Sequence, residues 1–140
     1  MISSQHLTTS LKELRAAIAN GTLIINSDVN RGHDGSCVWS ETRQAAFRAA
    51  KLNGFPSQAL TFVRIISAAG PCQTAYSVLD GRNRLQALLK GEPSVVDGIV
   101  LSVEYLDVPI DLAPRIPEMC IALNNGGVPL TPGEIGRAHV

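Results

Sequence analysis

The stretch that most constrains this chain is residues 76–92, YSVLDGRNRLQALLKGE. A β-branched and aromatic run stops at Asp80-Gly81, and Leu85, Leu88 and Leu89 at once take up helical spacing until Lys90-Gly91 closes the helix with a basic last turn and a glycine. The same turn also has a chemistry. Unpaired backbone N–H groups at a helix start point outward with partial positive charge, Gly81 lets an oxyanion approach the backbone, and Arg82 and Arg84 add charged donors. Asp80 repels phosphate, so its expected jobs are capping the helix, pairing with Arg84, or helping to hold a divalent cation beside phosphate oxygens.

Other elements can be read on both sides of this turn. Ser10 and Glu13 have capping-box spacing ahead of a helical face made by Leu11, Leu14, Ala17 and Ile18, which Asn20-Gly21 ends. TLII at 22–25 suits a short strand, and the polar NSDVNRGHDGS at 26–36 reads as a loop carrying Arg31 and His33. Trp39 precedes a cap at Ser40 and an alanine-rich helix closed by Asn53-Gly54 and Pro56. LTFVRII at 60–66 pairs with TAYSVL at 74–79 as a hairpin, and IVLSVEYL at 99–106 is a third core strand. Pro109, Pro114 and Pro117 then interrupt the chain, leaving EMCIAL at 118–123 as a short helix before Asn124-Asn125-Gly126-Gly127. Thr131, Pro132 and Glu134 start a last helix so short that either it docks on the body or residues 126–140 are a truncated junction to a missing downstream domain.

At 140 residues, 45% hydrophobic and 17% charged, the expectation is one domain, residues 1–140, with a packed core. No run approaches the roughly 18 apolar residues of a membrane span, and MISSQHLTTS lacks the pattern of a secretion signal, so a soluble cytoplasmic protein is expected. Cys37, Cys72 and Cys120, like His6, His33 and His139, are too scattered for a disulfide framework or a close-spaced zinc site. Twelve basic residues balance twelve acidic ones, which removes any global field for nucleic acid. Residues 1–93 nevertheless hold ten Lys/Arg against six Asp/Glu, and residues 94–140 hold two against six. The basic part is therefore a candidate face for an anion, and nine of the twelve cations are arginines, which grip phosphate through two donors at once.

YSVLDGRNRL resembles the signature of the ParB/sulfiredoxin-like superfamily, and specifically of its Asp-Gly-Gln-Gln-Arg motif family, which includes NTPase domains of modification-dependent restriction systems. Two flanking stretches match in order. Arg31, Val38, Trp39, Ser40, Gly54 and Pro56 fall at the places of the family's opening Gln-Arg, Val-Trp-Ser, helix and Gly-x-Pro. Leu123, Asn124, Gly126 or Gly127, Pro129, Leu130, Thr131, Glu134 and Ile135 match its Leu-Asn-x-Gly-x-Pro-Leu-(Ser/Thr)-x-x-Glu-Ile element. Arg82 and Asn83 stand where the family has two glutamines, and residues 32–37 widen the gap between Arg31 and Val38.

The resemblance implies a small α+β domain, a short mixed sheet with helices packed around it. It implies a nucleoside triphosphate held at Asp80 to Arg84, with hydrolysis linked to DNA defence or phage counter-defence. The roles it implies are catalytic for Asp80 and Arg84, nucleotide-binding for Gly81, Arg82, Asn83, Arg31 and Asn124, and Mg²⁺ held through Asp80. DNA and a separate effector protein are the implied further partners. From the residues alone, Glu104 is a second carboxylate to weigh for metal or water, though its alternating strand points it outward, and Trp39 is either a base-stacking ring or a core anchor. The other reading is a non-catalytic module that binds nucleic acid or a partner protein through its basic half.

Overall fold

Serine caps place the first two helices. Ser10 Oγ accepts from the Glu13 N–H at 3.2 Å to start α1 (Leu11–Ala19), and Ser40 Oγ accepts from the Arg43 N–H at 3.1 Å to start α2 (Glu41–Leu52). Glu13 does not close the box backward. Its carboxylate takes the Thr9 hydroxyl at 2.6 Å instead. The computed structural model describes residues 1–25 and 39–118.

A mixed sheet of six strands organises these residues: β1 (Ser3–Ser10), β2 (Leu23–Ile24), β3 (Leu60–Ser67), β4 (Gly70–Pro71), β5 (Tyr76–Asp80) and β6 (Val100–Pro109). The spatial order is β1-β6-β3-β5-β2, with β4 folded back on β3. β1 runs antiparallel to β6 from Ser3–Asp107 to Ser10–Val100, β6 lies parallel to β3, and β3 runs antiparallel to β5. The expected hairpin is therefore present. The strand β1 is an addition, because SSQHLTTS is polar and mostly exposed and owes its conformation to β6 rather than to a buried face.

The two faces of the sheet bury different side chains. On one, Phe62, Val78, Leu101 and Val103 meet Leu11 and Leu14 of α1 and Leu85 and Leu88 of α3 (Arg82–Leu89), with Phe47 of α2 packed alongside. On the other, Val63, Leu79, Leu106 and Val108 meet Ile116, just past the 3₁₀ helix Ile110–Arg115. Val78 and Leu79 thus go to opposite sides of the sheet, as strand alternation requires. The proline-punctuated stretch begins as that 3₁₀ helix, and a single turn, α4 (Pro93–Val96), inserts Val96 into the first core. No helix among the described residues is long and apolar enough to cross a membrane. The expected loop at 26–36 and most of the elements expected after Pro117 lie outside the described residues.

Candidate functional site

The Asp80-Gly81 turn is built by an irregularity in the sheet. Thr61 pairs with Asp80 but its neighbour Phe62 pairs with Val78, so β5 carries one extra residue, Leu79, immediately before the turn. Such a bulge bends a strand and re-aims the side chains beside it. Gly81 then adopts φ +96° and ψ +16°, a left-handed conformation, and serves as the N-cap of α3 with no side chain bonded into the cap. Asp80, an expected cap, does not fill that role. Its Oδ2 lies 3.4 Å from Arg84 Nη2. A Cβ at Gly81 would collide with Leu60 Cδ2 and lie 3.1 Å from Arg84 Nη2, so the Arg84 guanidinium sits against the bend.

Arg84 and Asp80 are largely out of water, with side chains 15% and 13% exposed. Burial pushes the Asp80 carboxyl above its ordinary value despite the opposing pull of Arg84, and burial lowers Arg84 despite Asp80. Arg84 Nη1 donates to the Gln58 carbonyl, which a reading of the sequence misses because any residue type supplies that atom. Arg82 differs. It is 6% exposed, and its Nη1 is buried with no hydrogen-bond partner among the described residues. A desolvated guanidinium is costly unless an anion or acceptor meets it. Arg82 occupies the first helical position, directly after the Gly81 turn. Asn83, the next residue, is half-buried.

The other expected residues scatter. Arg31 and Asn124 lie outside the described residues. Glu104 faces β1, accepting from Ser4 Oγ at 2.9 Å and lying 3.4 Å from His6 Nε2. Thr61 stands between Glu104 and Asp80 in register, which sets the two carboxylates two strand spacings, roughly 10 Å, apart. No group of three or more His, Cys, Asp or Glu converges among the described residues. Mg²⁺ commonly takes one or two carboxylates with phosphates and water completing its shell, so Asp80 as a lone protein ligand fits that chemistry once it parts from Arg84. Trp39 meets Phe47 edge to face at 5.5 Å and carries the Arg43 guanidinium 4.2 Å above its ring, so that face of the indole is occupied. The charge asymmetry is also partly cancelled in space: Arg15 pairs with Asp97 at 3.0 Å and Arg64 with Asp107 at 2.9 Å, each joining the basic part to the acidic one.

The overall architecture has a solved counterpart. A Pnob8-like ParB-N domain superposes with a TM-score of 0.51 at 11% sequence identity, covering 99% of this chain and 43% of the solved one. This chain therefore spans less than half the length of that relative, and the likeness establishes a ParB-like α+β fold. No family model and no curated protein matches the chain.

Proposed function

We propose that this ParB-like domain binds a nucleoside triphosphate, its phosphates held at the start of α3 by the Gly81 backbone, Arg82, Asn83 and Arg84. The observation that carries the reading is Arg82: a residue 6% exposed, its Nη1 without a partner among the described residues, in the first position of a helix whose start already offers donors to an anion. Hydrolysis is the further part of the proposal. Positive charge on the transferring oxygens comes from Arg82 and Arg84, and Asp80 supplies a carboxylate for a metal or a water. A setting in DNA defence or phage counter-defence, with DNA or an effector protein as a further partner, rests on the motif resemblance of residues 76–85 and its flanks.

A panel of ATP, CTP, GTP and UTP, each with and without Mg²⁺, read by melting temperature and phosphate release, tests both parts. A shift with release supports an NTPase, and a shift without release supports a binding protein. Arg84→Ala is expected to weaken the nucleotide by about 1.5–3 kcal/mol, roughly 10- to 150-fold, the worth of a hydrogen bond to a charged group. Binding and hydrolysis unchanged in that variant overturn the assignment.

A further inference from the structure

The bend at Gly81 already holds an anion, and that anion belongs to the protein. The Asp80 carboxylate accepts from Arg84 Nη2, one of the donors proposed above to hold phosphate. We propose that Asp80 is an internal competitor: a phosphate at the α3 start takes Arg84 away from the Asp80 carboxylate, so the strength of the Asp80–Arg84 contact sets the affinity for the anion. This inference rests on the phosphate-binding reading and adds to it how the site is held in check.

Three features make the contact one that a ligand can displace. At 3.4 Å it is a single long contact rather than a two-pronged one. Arg84 has a second acceptor, the Gln58 carbonyl, that anchors the guanidinium beside the bend while Nη2 changes partners. Both side chains are mostly buried, so each forgoes hydration for an attraction that does not fully offset the loss, as the raised Asp80 and lowered Arg84 values agree. A phosphate carries more charge and more acceptor oxygens than one carboxylate, and Arg82 Nη1, without a partner among the described residues, is a further donor on the first residue of the same helix. Parted from Arg84, Asp80 would be a carboxylate beside the phosphate, able to help hold a divalent cation there.

The test uses inorganic triphosphate without Mg²⁺, titrated calorimetrically into the whole chain and into Asp80→Asn and Asp80→Ala, with circular dichroism confirming that each variant folds. Removing a competing negative charge a few ångströms from the phosphate is expected to tighten binding about tenfold in both variants. Binding by the variants where the natural sequence shows none supports the same conclusion. Binding by the natural sequence that either folded variant fails to improve overturns the competitor and leaves the phosphate site standing. If neither the natural sequence nor any folded variant takes up triphosphate, both readings fall. Should one variant fail to fold, the other decides.

Discussion

Two of the molecule's arginine–aspartate pairs have opposite characters. Arg64 on β3 grips Asp107 on β6 with two hydrogen bonds, Nε to Oδ1 at 2.9 Å and Nη2 to Oδ2 at 3.1 Å. The Tyr76 hydroxyl donates to the same Oδ1 at 3.0 Å, Arg64 stacks 4.6 Å above the Tyr76 ring, and Tyr105 meets that ring edge-on. Arg64 holds the Asp107 carboxyl below its ordinary value, and Asp107 raises Arg64 in return. At the α3 start the Asp80–Arg84 pair is longer, drier and single-pronged, and both its members are shifted toward neutrality. The same residue types make a closed bracket in one place and an unfinished set of bonds in the other. Arginine-rich composition does not tell the two apart, but completeness of hydrogen bonding does.

The largest effect is expected at the glycine that separates them. The Arg64–Asp107 bracket stands on regular strand backbone, whereas the Asp80–Arg84 pair spans the left-handed Gly81. Gly81→Ala adds both a backbone penalty and a collision with Leu60, and is expected to cost about 3 kcal/mol in urea unfolding. Gly54→Ala, at φ +83° with nothing within 4 Å, is the control that carries the backbone penalty alone, about 1 kcal/mol. Equal losses in the two would mean that the bend is no more constrained than an ordinary helix end.

Asp107→Asn comes next. It breaks the bracket and leaves Arg64 without its charge partner, at a cost of about 1.5–2 kcal/mol at neutral pH, the lower half of the range for charged hydrogen bonds because about a quarter of each side chain is exposed. The dependence on pH has a definite sign. Asp107 binds its proton less tightly folded than unfolded, so its contribution is present above the ordinary carboxylate value of 3.8 and is lost as pH falls through the lowered folded value. Urea unfolding at a series of pH values should therefore show the natural sequence converging on the variant in acid.

How much of this was visible in the residues differs between scaffold and site. The serine caps, the β3–β5 hairpin and the strand-turn-helix at 76–92 were legible because each rests on local chemistry, a side-chain oxygen or a glycine at a fixed offset. The strand β1 was not, since its polar sequence has no inward face and only the distant β6 makes it a strand. At the site, the turn and its arginines could be named, but not which arginine would be spent. Arginine is ordinarily exposed, so the burial of Arg82 depends on tertiary packing, and the partner of Arg84 is a backbone carbonyl 26 residues away that no side-chain pattern encodes. The bulge at Leu79, which aims Asp80, comes from pairing with β3 and has no signature in the β5 sequence itself.

The smallest stability effect is expected from Asp80→Asn, and its smallness sharpens the comparison. Because burial raises the Asp80 carboxyl, the folded chain binds that proton more tightly than the unfolded chain does, so its contribution is present below about 3.8 and is lost as pH rises through the raised folded value. At neutral pH the charge is therefore held at a loss that Arg84 only partly offsets, and replacing it with a neutral amide of the same shape, whose oxygen can still accept from Arg84, should change unfolding by no more than about 0.5 kcal/mol. As pH rises from below 3.8 through the raised folded value, the variant should gain on the natural sequence, the reverse of the Asp107→Asn trend. A carboxylate that contributes little to folding yet lies buried against an arginine at a helix start is free to serve a ligand. If Asp80→Asn instead destabilised as much as Asp107→Asn, with the same slope against pH, the two pairs would be equivalent brackets and the α3 start would lose its distinction as a site.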